Sequence, residues 1–259
     1  MTVQRVVLTG GSSGLGQGIA KMFCNDGATV ASIDIQDGAE TAELCGGRFR
    51  SFIADVASEP AVRHAFSEID DYFEDAPDVL CNVAGIAPEV AFLDTPVEVF
   101  DRTMAVNVRG AFLCSQEAGR RMRDAEGGRI IHITSTESVQ AWALQTAYGA
   151  SKAALRHLTM GMAVELAPYG ITVNAVGPGA CETPALAIQM QSGAIARHDL
   201  ERTPLGRWGA PADIAAAVRF LACDASWMTG QTIYVDGGFL ATGLPMLPEI
   251  ATVRRGPGL

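Results

Sequence analysis

The chain has 259 residues, of which 48% are hydrophobic and 19% charged, so the composition excludes a disordered chain. Its 19 basic and 29 acidic residues give a formal net charge of −10, which disfavours nucleic acid and anionic membranes as partners. No apolar run reaches ~18 residues and the first residues do not resemble a signal peptide, so we expect a cytoplasmic protein.

Short apolar runs alternate with longer amphipathic stretches. The runs predict seven strands, over residues 3–9, 29–34, 48–55, 78–83, 129–134, 171–175 and 231–235. The stretches between them predict helices over 14–26, 38–44, 58–73, 99–122, 146–167 and 211–222. Strands that are nearly all apolar are typical of parallel sheets buried on both faces. The pattern therefore predicts an α/β fold: a doubly wound (Rossmann) seven-stranded parallel sheet with helices on both faces.

One domain accounts for residues 1–259, because no repeat or linker-like composition interrupts the pattern. Two segments fit the alternation poorly. The connection over 184–205 follows a Pro-Gly pair and is expected to be a substrate lid. The tail over 244–259 is either a frayed terminus or an arm that docks on a neighbouring subunit.

The six cysteines and four histidines are dispersed, without the spacing of a zinc site or a disulfide framework. We expect reduced, mostly buried cysteines and no metal site.

A glycine-rich loop joins the first predicted strand to the first helix, with the sequence Thr9-Gly10-Gly11-Ser12-Ser13-Gly14-Leu15-Gly16. Glycines at this place permit a tight turn and close approach of a pyrophosphate to the helix N-terminus. A plain turn has similar composition, but the strand–loop–helix context favours a dinucleotide site.

Asp34 ends the second predicted strand, where a carboxylate can accept hydrogen bonds from adenosine ribose hydroxyls. The same carboxylate would repel a 2′-phosphate, and its sequence neighbours include no Lys or Arg. We therefore expect NAD rather than NADP; the alternative is that Asp34 is only a turn residue.

Tyr148 and Lys152 are four residues apart and so share one face of the helix predicted over 146–167. An ammonium close to the phenol favours the phenolate and is expected to lower its pKa toward neutrality. Ser135, at the end of the fifth strand, is placed to hydrogen-bond a substrate oxygen.

These motifs occur together in one order: the glycine loop, Asn82-Val83-Ala84-Gly85, Asn107, Ser135, Tyr148-x-x-x-Lys152 and Pro178-Gly179. The sequence resembles the short-chain dehydrogenase/reductase family, in its single-domain branch, from residue 3 to about residue 238. Val83 departs from the family, which often has a second Asn there.

The resemblance implies specific roles. Tyr148 is the general acid/base, Lys152 holds the nicotinamide ribose, Ser135 orients the substrate oxygen, and Asn107 holds a relay water. The implied cofactor contacts are Gly10, Ser13, Gly14, Leu15, Gly16, Asp34, Asp55, Val56, Asn82, Gly85, Tyr148, Lys152, Pro178, Gly179, Cys181 and Thr183. For Asn107 and Thr183, a purely structural hydrogen bond or helix cap is the alternative.

Substrate contacts are expected near the catalytic residues. Glu137 and Gln145 offer hydrogen bonds to hydroxyls, and Leu186 in the lid offers apolar surface, beside Ser135 and Tyr148. Glu137 is equally well explained as a solvated surface carboxylate.

Three functions compete. The first is an NAD-dependent dehydrogenase of a secondary alcohol, most similar to the family's sugar and polyol dehydrogenases. The second is an NADPH-linked carbonyl or 3-oxoacyl reductase, which Asp34 and the acidic composition disfavour. The third is a dinucleotide-binding sensor without turnover, which the intact Ser135, Tyr148 and Lys152 disfavour.

The helices predicted over 99–122 and 146–167 carry small and apolar residues on more than one face. A helix that covers one face of a sheet needs one apolar stripe, so the surplus predicts burial against other subunits. Together with the family resemblance this indicates a homotetramer; the alternative is a wider contact with the core.

Overall fold

The structure is a computed structural model that describes residues 3–184 and 200–242. One sheet of seven parallel strands has the order β3-β2-β1-β4-β5-β6-β7. The strands are β1 (Arg5–Thr9), β2 (Thr29–Asp34), β3 (Phe49–Ile53), β4 (Val79–Asn82), β5 (Gly128–Ile133), β6 (Ile171–Pro178) and β7 (Thr232–Val235). The helices are α1 (Gly14–Asn25), α2 (Ala39–Leu44), α3 (Glu59–Phe73), α4 (Val97–Met104), α5 (Ala111–Asp124), α6 (Thr146–Leu166) and α7 (Pro211–Cys223). The predicted doubly wound sheet is confirmed.

Helices cover both faces of the sheet and divide the core in two. Phe23 of α1 and Leu221 of α7 pack on one face, in a cluster with the buried side chains of β1 and β2. Phe66 of α3 and Met122 of α5 pack on the other face. The central strands are therefore buried on both sides, which explains their nearly continuous apolar sequence.

The edge strands depart from the expected burial. In β3, Phe49 and Phe52 are buried, whereas Arg50 and Ile53 are exposed. Strand β7 is only partly buried along its length. Both strands lie at the edges of the sheet, where each has a neighbouring strand on one side only.

The helix predicted over 99–122 is interrupted. It consists of α4, a π-helical turn over Ala105–Gly110, and α5. A π-helical turn inserts one residue into the helical repeat and is frequent at functional sites. Strand β6 also runs farther than predicted, to Pro178.

Of the predicted lid over 184–205, the structure describes residue 184 and residues 200–205; the tail over 244–259 lies outside the described residues. Five of the six cysteines are buried, as expected; all six are free thiols. Within the described part of the chain, no helix has the length and apolar character needed to cross a membrane.

The strand order indicates where a ligand site is expected. From β1 the chain moves outward to β2 and β3, then returns to β4 on the other side of β1. Ligands of doubly wound sheets bind beyond the carboxyl ends of the strands at such a reversal.

Candidate active site

A cavity of about 450 Å³ lies at the carboxyl ends of the strands, beside the junction of β1 and β4. Asp34 and the glycine loop line one part of it, and Tyr148 and Lys152 line another. Most residues predicted from the sequence meet there: Gly10, Ser13, Gly14, Leu15, Gly16, Asp34, Asp55, Val56, Gly85, Ser135, Glu137, Gln145, Tyr148, Lys152, Pro178, Gly179, Cys181 and Thr183.

Three predicted residues are not among those that line the cavity. Leu186 lies outside the described residues. Asn82 is buried, and its Nδ2 donates to Ser115 Oγ at 3.0 Å, within the protein interior. Its side chain is therefore directed into the core rather than toward a ribose.

Asn107 is the third, and it lies in the π-helical turn, 1% exposed. Its Oδ1 accepts from the backbone N–H of Ile86 at 2.9 Å, and its Nδ2 donates to the Ile86 carbonyl and to Ser151 Oγ, each at 2.9 Å. Both amide hydrogens are thus used by protein acceptors. These contacts favour the alternative in which the Asn107 side chain makes purely structural hydrogen bonds.

The glycine loop forms a space for a phosphate group. Ser13 precedes α1 without capping it, and the first turn of α1 carries no acidic residue, so N–H groups there remain available to an anion. A Cβ added to Gly14 would lie 3.5 Å from Thr183, across the space between loop and β6. A Cβ on Gly16 would lie 1.9 Å from the Gly10 carbonyl oxygen. Gly16 therefore permits close packing of α1 on the loop, and the positive φ of Gly14 favours glycine there.

Asp34 is held by the backbone at the end of β2. Its Oδ2 accepts from the Ser12 N–H at 3.0 Å and its Oδ1 from the Gln36 N–H at 3.1 Å. The carboxylate therefore has a fixed orientation at the cavity, as recognition of ribose hydroxyls requires.

Arg102 also lines the cavity, and sequence reasoning missed it. Its Nη1 donates to Asp55 Oδ2 at 2.8 Å. Burial acts to raise the pKa of the Asp55 carboxyl, but the hydrogen bonds from Arg102 and from the Ala57 N–H bring it below its ordinary value. Arg102 is 47 residues from Asp55 and belongs to no motif, so no local signal links the two.

Lys152 is almost completely buried beside Tyr148. Its Nζ donates to the Ile133 carbonyl at 2.8 Å and lies 5.6 Å from the Tyr148 ring centroid. Burial lowers the Lys152 pKa to about 8, and the nearby Glu137 carboxylate opposes that shift. A Cβ added to Gly85 would lie 3.4 Å from Nζ, so glycine keeps the approach to the ammonium open.

The pKa of Tyr148 is raised rather than lowered. Burial is the main cause and the Glu137 carboxylate adds to it, while a hydrogen bond with Ser135 has the opposite effect. The net lowering expected from Lys152 is not found, because burial and the Glu137 charge raise the pKa and Lys152, bonded to the Ile133 carbonyl, is not among the groups that shift it. The phenol is therefore protonated at neutral pH.

Polar groups also surround the space beside Tyr148. Glu137 follows Ser135 closely, and its N–H donates to Ser135 Oγ at 3.1 Å. Gln145 is buried, with its Nε2 3.3 Å from Glu89 Oε1. Trp142 adds an aromatic side chain to the lining.

Within residues 3–184 and 200–242, no group of His, Cys, Asp and Glu has the arrangement of a metal site.

Comparison with known proteins adds to this geometry. A family model described as enoyl-(acyl carrier protein) reductase matches residues 10–240. A short-chain dehydrogenase/reductase of Armillaria gallica is 37% identical over 248 residues, which cover 90% of this chain and 95% of the relative. The chain belongs to the short-chain dehydrogenase/reductase family. As a member it is an NAD(P)-dependent dehydrogenase.

Other members of the short-chain dehydrogenase/reductase family differ in their named activities. An NAD-dependent glycerol dehydrogenase of Listeria innocua is 35% identical, covering 92% of this chain and 94% of the relative. A 3-oxoacyl-[acyl-carrier-protein] reductase of Aquifex aeolicus is 34% identical, covering 90% and 95%. The structure of ElxO with NADP bound superposes with a TM-score of 0.85 at 29% identity, covering 93% of this chain and all of that one.

Proposed function

We propose that the protein catalyses reversible, NAD-dependent oxidation of a secondary alcohol in an uncharged polyol or sugar. The observation that carries the proposal is one cavity with two chemically distinct parts. The ordered Asp34 carboxylate lies in one part, and Ser135, Tyr148 and Lys152 lie with Glu137 in the other.

The proposed acid/base group is Tyr148. When bound, the dinucleotide supplies the hydride acceptor or donor, and the protein handles the accompanying proton. In reduction the protonated Tyr148 gives its phenolic proton to the substrate carbonyl oxygen. Oxidation is the reverse step, in which the phenolate, a minor form at neutral pH, takes the proton from the substrate hydroxyl. Ser135, whose hydrogen bond favours the phenolate, holds the same oxygen, and Lys152 is proposed to hold the nicotinamide ribose.

The cofactor is proposed to lie along the residues that the cavity brings together. Gly10, Ser13, Gly14, Leu15 and Gly16 hold the pyrophosphate, and Asp34 accepts from the adenosine ribose. Around the adenosine and the nicotinamide we place the remaining contacts: Asp55, Val56, Gly85, Tyr148, Lys152, Pro178, Gly179, Cys181 and Thr183. Asp34 supports NAD over NADP, since a 2′-phosphate beside it would be repelled.

The substrate is proposed to be rich in hydroxyl groups and without negative charge. Glu137 and Gln145 supply hydrogen-bond acceptors next to Tyr148. Glu137 raises the pKa of both Tyr148 and Lys152, so its negative charge is felt at the reacting centre. A carboxylate or phosphate on the substrate would be repelled by the Glu137 carboxylate.

The second candidate is an NADPH-linked 3-oxoacyl reductase. The Aquifex relative favours it by name. Asp34 and the net charge of −10 disfavour it, because both NADPH and an acyl carrier protein are acidic.

A cytoplasmic homotetramer completes the proposal. Six free cysteines suit a reducing compartment. Phe112 of α5 and Val164 of α6 are apolar and exposed, as residues at a subunit interface are in a single protomer.

The test is a screen of purified protein for NAD reduction with polyols, sugars, hydroxysteroids and simple secondary alcohols. A parallel assay follows NADPH oxidation with a 3-oxoacyl thioester. Activity with NAD and neutral polyols or sugars, absent in Tyr148→Phe, supports the proposal. Activity confined to NADPH and the thioester supports the second candidate and overturns the first.

A further inference from the structure

A line of hydrogen-bonded side chains crosses the core beneath the active site. Asn82 Nδ2 donates to Ser115 Oγ at 3.0 Å, and Ser115 Oγ lies 3.3 Å from His132 Nε2. His132 Nδ1 lies 2.8 Å from Thr159 Oγ1. All four residues are buried, and they connect β4, α5, β5 and α6. We call them the buried polar network.

One histidine tautomer satisfies the hydrogen bonds of this network together. Thr159 Oγ1 lies 2.9 Å from the Leu155 carbonyl oxygen and 2.8 Å from His132 Nδ1. When the Thr159 hydroxyl donates to Leu155, its oxygen accepts from His132, and His132 then carries its hydrogen on Nδ1. Its Nε2 accepts from the Ser115 hydroxyl, which in turn accepts from Asn82.

His132 stays neutral in this position. It has no solvent exposure, and burial lowers its pKa to about 3, with Lys152 as a second, smaller cause. A charged imidazolium would need acceptors at both nitrogens, whereas Ser115 donates at Nε2. The imidazole is thus neutral at neutral pH, with one ring nitrogen as donor and the other as acceptor.

The network is joined to the active site through two adjacent residues of β5. The side chain of His132 bonds to Thr159, and the carbonyl of the next residue, Ile133, accepts from Lys152 Nζ at 2.8 Å. Lys152 and Thr159 are seven residues apart on α6, about two turns, so they lie on the same face. Two hydrogen bonds therefore hold α6 against β5.

We propose that His132 is a positioning residue for Lys152. Its Nδ1–H bond to Thr159 sets the position of α6 along β5, and so holds the Lys152 ammonium where a nicotinamide ribose would be bound. The proposal rests on the function proposed above for Lys152. It assigns a mechanistic role to a residue that lies outside the cavity and touches neither substrate nor cofactor.

The first test compares three single substitutions in the network. Thr159→Val keeps the side-chain shape but removes the acceptor for His132 Nδ1, whereas Thr159→Ser keeps that acceptor. Ser115→Ala is the matched control, because it removes one hydroxyl from the same network but leaves the bond between β5 and α6 intact. All three are measured by fluorescence titration with NADH across pH, and by Tm.

For Thr159→Val we expect the NADH Kd to rise about tenfold. The pH at which NADH binding weakens should also differ from that of the wild-type protein. Thr159→Ser and Ser115→Ala should keep the wild-type Kd and pH profile, even where the Tm falls. If Thr159→Val lowers only the Tm and leaves Kd and pH profile unchanged, the network is merely structural and the proposal is wrong.

A second pair of variants keeps the test decisive if Thr159→Val fails to fold. In His132→Asn the amide can donate from the position of Nδ1, so NADH binding should be retained. In His132→Gln the amide lies at the position of Nε2, so binding should weaken as in Thr159→Val. Equal affinities in these two variants would contradict the proposal.

Two results separate this inference from the proposed function. A wild-type protein that binds NADH but oxidises no alcohol would remove the proposed substrate class and leave the binding test valid. NMR of ¹⁵N-labelled histidine should show His132 neutral, with its hydrogen on Nδ1, independent of any cofactor. A hydrogen on Nε2 would overturn the inference alone.

Discussion

The carboxylate of Asp34 accepts a hydrogen bond of 3.0 Å from the backbone N–H of Ser12. Ser12 belongs to the glycine loop, and Asp34 ends the neighbouring strand β2. The bond therefore joins the place proposed for the pyrophosphate to the place proposed for the adenosine ribose. It fixes a negative charge at the proposed ribose position, where NADP would carry its additional phosphate.

Cofactor preference follows from that charge. Wild-type protein should prefer NAD over NADP by at least about tenfold in kcat/KM, and Asp34→Ala should narrow the gap. Asp37→Ala is the control, because it removes an equal charge from a nearby carboxylate that accepts from the Ala39 N–H. A wild-type preference for NADP would contradict the electrostatic argument; equal effects of both variants would show that only overall charge matters.

Tyr148→Phe should abolish nearly all turnover while NADH still binds, because the variant loses the phenolic proton and keeps the ring. Lys152→Met should damage both turnover and binding, since the proposed ribose contact is lost. Steady-state kinetics and NADH titration measure the two effects separately. The acid/base assignment fails if Tyr148→Phe keeps more than about a tenth of the wild-type kcat.

Glu137→Gln should shift the pH dependence of the active site. The Glu137 carboxylate favours the charged form of Lys152 and disfavours the charged form of Tyr148, so it raises both pKa values. Its removal should lower the Lys152 pKa below its present value of about 8. NADH binding should then begin to weaken at lower pH than in wild type.

The control for this shift is Glu89→Gln. Glu89 bonds to Gln145 but is not among the groups that shift the pKa of Lys152. The pH profile of NADH binding in Glu89→Gln should match that of the wild-type protein. A profile of Glu137→Gln that moves to higher pH would have the wrong sign and would contradict the assignment.

His132 should make the protein sensitive to acid. Its pKa is about 3 in the folded protein and about 6.5 in the unfolded chain, so the unfolded chain binds more protons between these values. The free energy of unfolding should therefore fall as pH drops below about 6.5, by about 1.4 kcal/mol per pH unit from this residue. Urea unfolding at several pH values measures it.

His132→Asn should remove that part of the slope, because asparagine does not titrate. His64→Asn is the matched control, since the His64 side chain is 77% exposed. An unchanged slope in His132→Asn would show that His132 does not remain neutral in the folded protein.

Assembly is testable through the exposed apolar side chains of α5 and α6. Val164 is 78% exposed in the single protomer, and Phe112 and Met160 are also exposed. If these faces meet in a tetramer, Val164→Arg should dissociate it, whereas Ile53→Arg on the edge strand β3 should not. Light scattering after size-exclusion chromatography gives the mass. An active wild-type species at the monomer mass of 27.2 kDa would refute the tetramer.

Local sequence determined the succession of elements. Continuous apolar runs predicted the buried strands, and the spacing of Tyr148 and Lys152 placed them on one face of a helix that the structure confirms as α6. The glycine loop was recognisable because a few consecutive residues determine the end of a strand, a tight turn and the start of a helix. Motifs of this kind depend on neighbours along the chain.

Tertiary structure decided which groups meet and how they ionise. Arg102 reaches Asp55 from 47 residues away, and the side chains of Asn82 and Asn107 face protein partners rather than the cavity. The pKa of Tyr148 rises because burial and the Glu137 charge outweigh the hydrogen bond with Ser135, a balance set by distances and solvent exclusion. The sequence contains the charges, but their energies depend on separation and desolvation, and these exist only once the chain has folded.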